Sequence, residues 1–242
     1  MLDKNFLSDN IKTLFYALII AVIIRSLFIQ PFYIPSSSME PNLLVGDRIF
    51  VTKYTYGYSK HSLPFSPPIF DGRFFSNQPE RGDIIVFKLP GQENINYVKR
   101  LLGLPGETIK VEDGKVFIKS KNAKSFQQID QIEDGIFIDD QYQKQIQQLI
   151  ENKYKILNLT NNGPLDFTPE YLIPEDKYFF MGDNRDNSSD SRVMSGVGFV
   201  PKVNIIGKVW FIWFSIDTRF SLTKFWTLPI HIRYDRLFKL VK

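Results

Sequence analysis

Apolar positions along the chain follow two regimes. From Thr13 to Ile29 the sequence TLFYALIIAVIIRSLFI runs for seventeen residues with one charge, Arg25. A run of that length is at the short end for a membrane-spanning helix. Arg25 stands near its far end, where a long side chain can reach the headgroup layer, so the charge lengthens the span that the segment can cover. The pattern predicts an anchor over residues 13–30. A cleaved export signal has the same apolar middle but needs a small-residue A-x-A site soon after it. The following QPFYIPSSSMEP is bulky and Pro-punctuated, so the anchor is expected to stay attached. Lys4 and Lys12 precede the run, whereas no Lys or Arg occurs between Gln30 and Asp47. The positive-inside bias then places residues 1–12 in the cytoplasm, with everything from about residue 31 onward outside a cytoplasmic membrane crossed once.

Beyond the anchor, short runs rich in β-branched and aromatic residues alternate with Gly, Pro, Asn and Asp. DRIFVTKYTYG, GDIIVFKLP, NYVKRLLG, ETIKVEDGKVFIK and NIIGKVWFIWFSID each read as strands. Asp113-Gly114, between IKVE and KVFI, is a strong two-residue hairpin signal. The ten residues Ile205 to Phe214 include a lysine and are too few for a second span, so they read as a buried strand. The fold class that follows is mostly β, an antiparallel body with one N-terminal transmembrane helix. The body occupies residues 31–119 and 170–217. Residues 120–169 turn rich in Gln, Asn, Lys and Asp and are expected to form an inserted smaller subdomain. Within it, Ile146, Leu149 and Ile150 of DQYQKQIQQLIENKYK have helical spacing and predict one helix. Residues 218–242 carry Arg219, Lys224, Arg233, Arg236, Lys239 and Lys242 against Asp235, and read as a solvated basic tail. The loop SKHSLPFSPPIFDGRFFSNQPERG is rich in Pro and Phe, its aromatics either packed beneath it or lying on a bilayer.

Composition narrows the chemistry. The chain has 242 residues, of which 43% are apolar, with 22 Phe, 11 Tyr and 3 Trp. Such an aromatic load must be buried or touch lipid. A net charge of +4, dispersed along the chain, gives no electrostatic footprint for nucleic acid. With no cysteine there are no disulfides, thiol nucleophiles or thiolate metal sites. Two isolated histidines, His61 and His231, lack the spacing of a zinc site, so no metal or cofactor is expected. A Ser-His-Asp triad stays open on spacing alone, because its members meet in space, but neither histidine lies beside a Gly-framed serine.

Serine paired with lysine is the remaining hydrolytic pairing. A lysine base must lose a proton near neutral pH, which means lowering a pKa of about 10.4 by roughly 3 units, or about 4 kcal/mol. Only desolvation or a neighbouring cation does this, so the base belongs in an apolar strand. Lys99, in Asn96-Tyr97-Val98-Lys99-Arg100-Leu101-Leu102, has that setting, although most strand lysines are solvated. Ser38 is the serine candidate, in Ile34-Pro35-Ser36-Ser37-Ser38-Met39-Glu40-Pro41. Three serines ordinarily mark a flexible linker, but Pro35 and Pro41 stiffen this one. Eight residues from Gln30, Ser38 lies within roughly 30 Å of the membrane edge, which points to a membrane-borne substrate. Met181 to Arg192, MGDNRDNSSDSR, fails as a calcium loop because Ser188 and Met194 stand where glycine and glutamate are required. Its alternating acids and arginines suggest a self-paired polar loop.

IPSSSMEPNLLVGDRIFVTKYTYG, RGDIIVFKLP, YVKRLLGLPGE and GDNRDNSSDSR, in this order, resemble the signature boxes of bacterial type I signal peptidases. The resemblance covers roughly residues 10–119 and 170–217 and leaves 120–169 unassigned. It implies a membrane-anchored serine endopeptidase that removes signal peptides from exported preproteins after a small residue. Ser38 matches the nucleophile and Lys99 the base, with the Ser36 hydroxyl joining the Ser38 backbone N–H in an oxyanion hole. Ser188 matches a serine that orients the lysine, Asp190 with Arg192 and Arg100 with Asp183 match supporting ion pairs, and Gly182 a point of close approach. Phe32, Ile34, Pro35, Met39, Leu43, Tyr97 and Val98 match the walls of a groove for small side chains. Ser37 departs from the family pattern, which often has glycine there, and fits only if its φ is negative. Alternatives are a related Ser/Lys protease serving a dedicated secretion or conjugation substrate, and a non-catalytic signal-peptide-binding membrane protein.

Overall fold

The computed structural model of the chain describes residues 4–139 and 144–241. Helix α1 spans Lys4–Leu27, and within it Asp9–Leu27 is long and apolar enough to cross a membrane. Only 6% of that window is buried, so its apolar face does not pack on the body. The helix is longer at its start than the predicted 13–30 and stops earlier: Ile29 and Gln30 already belong to the first strand, drawn out of the helix by pairing.

Fifteen strands follow among the described residues. They are β1 (Ile29–Tyr33), β2 (Asp47–Thr52), β3 (Ile84–Leu89), β4 (Gln92–Gly103), β5 (Thr108–Glu112), β6 (Lys115–Lys119), β7 (Gln127–Gln128) and β8 (Gln131–Ile138). After these come β9 (Gln145–Glu151), β10 (Tyr154–Asn158), β11 (Tyr171–Leu172), β12 (Lys177–Met181), β13 (Val200–Pro201), β14 (Ile205–Ser215) and β15 (Lys239–Leu240). The main sheet runs β1-β2-β14-β3-β4-β12-β13, with β15 added on β14; smaller sheets are β11-β5-β6-β7 and β10-β9-β8. The strand expected over Ile205–Phe214 is β14, near the centre of the main sheet. The β5–β6 hairpin turns at Asp113 and Gly114, both with positive φ, as its Asp-Gly signal requires.

The helix expected in DQYQKQIQQLIENKYK is not formed. Residues 140–143 lie outside the described residues, and the rest is the β9–β10 hairpin, turning at Asn152 and Lys153 with positive φ. Ile146 and Leu149 fit a helical repeat, but β9 has a partner on each side, and ladder pairing overrides so short a periodicity.

The basic tail is likewise not a solvated strand of charge. It returns to the body through short helical turns and β15, and Arg236 is buried. In the Pro- and Phe-rich loop, Arg73 donates to the carbonyls of Gly57, Lys202 and Ile205, which fixes the loop to the sheet. Phe65, Ile69 and Phe75 nevertheless stay exposed.

Two of the strand edges that lack a neighbour among the described residues border one groove. β1 pairs with β2 alone, and the Asn96–Val98 part of β4 pairs with β3 alone, because β12 reaches only Arg100–Gly103. The space between these edges holds the candidate site.

Candidate active site

A groove of about 910 Å³ runs between β1 and the first half of β4. Phe32, Ile34, Pro35, Met39, Tyr97 and Val98 line it, together with Ser36, Ser38 and Lys99. Ile34 and Met39 are buried and belong equally to the apolar core beneath. Leu43, expected in the wall, is fully buried in that core and does not line the groove, because the chain turns inward after Pro41.

Ser38 sits in a 3-10 turn, Ser37–Met39, entered through extended Ser36. Its position is fixed from behind by the loop after β12. Asn184 N–H donates to the Ser38 carbonyl at 3.2 Å, Asn184 Nδ2 to the Ser37 carbonyl at 3.2 Å, and Asn187 Nδ2 to Ser37 Oγ at 2.7 Å. Ser37 does not have a positive φ, so the departure from glycine carries no strain.

Lys99, on β4 opposite Ile85 of β3, is 3% exposed. Its Nζ lies 2.5 Å from Ser38 Oγ and 5.3 Å from the centre of the Tyr97 ring. Burial drives its pKa from the ordinary 10.5 to about 8, against the pull of Asp190 and Asp183 and with a further push from Arg192. At that value a useful fraction of the amine is neutral near pH 7 to 8. Ser36 Oγ is 3.4 Å from Ser38 Oγ, on the groove side.

The polar groups around this pair are closely matched. Arg100 donates to Asp183 through Nε and Nη2, both at 2.7 Å, and stacks over Tyr154 at 3.9 Å. Asn42 Nδ2 adds a third donor to Asp183 at 2.7 Å. Arg192 donates to Asp190 through Nε and Nη2, both at 2.9 Å, and Gly182 N–H donates to Asp190 at 3.0 Å. Burial alone would raise the Asp190 carboxyl, but Arg192 and these hydrogen bonds hold it below its ordinary value, so it stays ionised. A side chain on Gly182 would bring a Cβ within 2.2 Å of Ser188 Oγ and 2.6 Å of the Ser38 carbonyl. Ser188 Oγ is buried and does not hydrogen-bond Lys99 or any other group with good geometry, although it lies near enough to Asp190 to help keep that carboxylate ionised.

Several site residues carry no mark in the sequence. Asn184 and Asn187 stand inside a polar motif where the acids and arginines draw attention first. Glu151 and Tyr154 come from the segment that resemblance leaves unassigned, yet Arg185 donates to Glu151 through Nη1 at 2.8 Å and also through Nη2. Tyr154 Oη donates to the same carboxylate at 2.8 Å. Both histidines lie outside this constellation; His61 is buried in a short helical turn at Lys60–Ser62. Among the described residues no group of three or more His, Asp or Glu is placed to hold a metal ion.

Residues 7–214 match the family model for signal peptidase, peptidase S26. Signal peptidase I of Rickettsia bellii (strain OSU 85-389) is 41% identical over 236 residues, covering 88% of this chain and 79% of its own. Signal peptidase I of Rickettsia typhi is 42% identical over 212 residues, covering 83% and 77%. A solved signal peptidase I from Enterococcus faecalis is 26% identical and covers 55% of this chain and 97% of its own, with a TM-score of 0.33.

Proposed function

The chain belongs to the signal peptidases of peptidase family S26, and from that premise we propose that Ser38 and Lys99 form the dyad with which it removes signal peptides from exported preproteins. The observation that supports this most is the 2.5 Å contact between Lys99 Nζ and Ser38 Oγ, with the amine buried and lowered to about 8. Neutral Lys99 takes the hydroxyl proton as Ser38 Oγ attacks the carbonyl carbon of the small residue that precedes the cut. The tetrahedral oxyanion accepts hydrogen bonds from the Ser36 hydroxyl and the Ser38 backbone N–H. Lys99 then gives its proton to the departing amine. A water, deprotonated by the same amine, attacks the ester, and the Lys99 ammonium returns its proton to Ser38 Oγ as the ester bond breaks, releasing the signal-peptide carboxylate and regenerating the neutral amine. In this reading Ser188, a buried hydroxyl beside Gly182 without a hydrogen bond among the described residues, takes the role of receiving the Lys99 ammonium while Ser38 is esterified.

The groove suits an extended peptide. The free edges of β1 and β4 offer main-chain donors and acceptors to a strand laid between them, while apolar walls limit side-chain size. Asp9–Leu27 serves as the anchor, with residues before it cytoplasmic and the β body on the outer side, which brings the groove to substrates already held in the bilayer.

The test compares cleavage of a preprotein bearing an A-x-A site by the wild-type chain, Ser38→Ala and Lys99→Met in detergent. Both variants should fold and cut at background rate, and Lys99→Arg should be equally dead because a guanidinium stays charged. Full activity in either Ser38→Ala or Lys99→Met, or a wild-type chain that binds the preprotein and never cuts it, defeats the assignment.

A further inference from the structure

A second cavity, of about 470 Å³, adjoins the groove and shares Arg25 and Asn96 with it. Its walls carry Arg25, Lys53, His61 and Lys88 against one carboxylate, Glu93. That carboxylate is already paired with Lys60 at 3.0 Å, and His61 Nε2 is 3.7 Å from it. Among the described residues, Arg25, Lys53 and Lys88 have no carboxylate within ion-pair distance, so the cavity has an excess of positive charge.

Two of its groups are buried and incompletely bonded. Lys53 is 1% exposed, and among the described residues its ammonium donates to a single acceptor, the Ser62 carbonyl, at 2.6 Å. Burial, with Arg25 nearby, lowers this amine to about 8. His61 is 3% exposed, and its Nε2 has no hydrogen-bond partner among the described residues. Its Nδ1 lies 3.0 Å from Ser66 Oγ; when that hydroxyl donates to Nδ1, the ring proton is left on Nε2 as a donor. Burying unused donors and cations together is costly unless an acceptor joins them. An anion with several oxygens meets that need.

Position identifies its source. Arg25 stands in the last turn of α1, just before the apolar helix ends at Leu27. Arg25 at the helix end and Gln30 just after it both line the cavity, and Tyr58 Oη, shortly before the His61 turn, donates to the Leu27 carbonyl at 2.8 Å. Phe65, fully exposed, forms part of the same wall. The cavity therefore opens at headgroup height, beside a lipid-facing helix and an exposed aromatic.

We infer that this cavity binds the phosphate of an anionic phospholipid, whose acyl chains lie along α1 and Phe65 and whose headgroup borders the entrance to the Ser38 groove. The inference rests on the reading of α1 as an anchor. Native mass spectrometry of the detergent-solubilised full chain tests it, with phosphatidylglycerol and phosphatidylcholine of identical acyl chains as probes. One phosphatidylglycerol per chain should be retained in preference to phosphatidylcholine. Retention should fall at least about tenfold in Arg25→Gln/Lys88→Gln, where both groups are only partly covered and the buried Lys53 is left in place. Lys239→Gln, on the exposed β15, should bind as wild type. Equal retention of the two lipids, or undiminished retention in the double variant, overturns the inference. Displacement of the lipid by millimolar inorganic phosphate also overturns it, by making this a free-phosphate site. Carbonate extraction of membranes reads the anchor separately, and cleavage by the wild-type chain in lipid-free detergent reads the enzyme separately.

Discussion

Glu151 on β9 neutralises Arg185 in the loop that backs Ser38, through two hydrogen bonds from one guanidinium, with both side chains almost wholly out of water. Burial would push the Glu151 carboxyl up, but Arg185, Gln131 and Tyr154 more than offset this, so it is lowered and stays charged. Arg185 is raised in turn by the same partner despite its burial. The three-stranded β8–β10 sheet is thereby tied to the site: Leu157 N–H also donates to the Asp183 carbonyl at 2.8 Å.

Glu151→Ala should therefore destabilise the body by roughly 3–5 kcal/mol, because it leaves a buried guanidinium without a partner. Glu151→Gln should cost less, since the hydrogen-bond acceptor survives. Thermal unfolding in detergent measures both, and replacing Glu151 and Arg185 together by apolar residues should recover much of the loss.

That link also marks where reading the sequence stops. Lys99 can be found because a base lysine must sit in an apolar strand, and Arg100, Asp183, Asp190 and Arg192 because they lie inside motif-bearing segments. Asp113-Gly114 dictates its own hairpin through backbone conformation. Glu151 has no such signal: its partner is far along the chain, and nothing local separates a buried, paired glutamate from a solvated one. Ile146 and Leu149 stand at helical spacing, and only the pairing with β8 and β10 makes their segment a strand. Leu43 is apolar enough for a groove wall or for the core beneath, and the turn after Pro41, which no pattern encodes, sends it to the core. Arg236 looks like surface charge until Asp47 is brought to it.

Lys99 predicts a pH signature. With the amine lowered to about 8, kcat/KM should rise with pH and level off above about 8 as the base becomes neutral. The same shift acts on stability in the opposite sense from a stabilising pair. Below about 8 the folded state must hold a buried ammonium that the unfolded chain leaves in water; the cost is full there and disappears as pH rises from about 8 to 10.5. Lys99→Met should accordingly be more stable than wild type at pH 6, on the order of 1–3 kcal/mol, with the gain shrinking at alkaline pH. Equal unfolding temperatures for the two proteins across that range would refute the buried-charge account.

Gly182→Ala should separate activity from folding. The added carbon would meet Ser188 Oγ at 2.2 Å and the Ser38 carbonyl at 2.6 Å, so the Ser37–Met39 turn and the Ser188 side chain must both move. A displacement near 1 Å at a reacting group costs about 100-fold in rate. Single-turnover cleavage should therefore drop by about that factor, while KM, which the proposed binding along the β1 and β4 edges would set, should change little. An unaltered rate would mean that Ser38 tolerates the shift.

The C-terminal segment should matter more than its basic composition suggests. Asp47 opens β2, and its carboxylate accepts from Leu44 N–H at 2.8 Å, Ser215 Oγ at 2.6 Å, and Arg236 Nε and Nη2 at 3.0 and 2.5 Å. Arg236 Nη2 also donates to the Asn42 carbonyl, and Arg233 Nη1 to the Val45 carbonyl, both at 2.9 Å. The tail thus holds the stretch between the Ser38 turn and β2, the same stretch from which Asn42 reaches Asp183. Removing the guanidinium in Arg236→Leu strands a buried carboxylate and should cost roughly 3–5 kcal/mol. Arg236→Lys should lose less, because one charged donor remains, though without the two-point geometry. If the segment acts through Asn42 and Asp183, kcat should fall in Arg236→Leu even at a temperature where the protein is fully folded. Unchanged kcat under those conditions would confine the segment to stability alone.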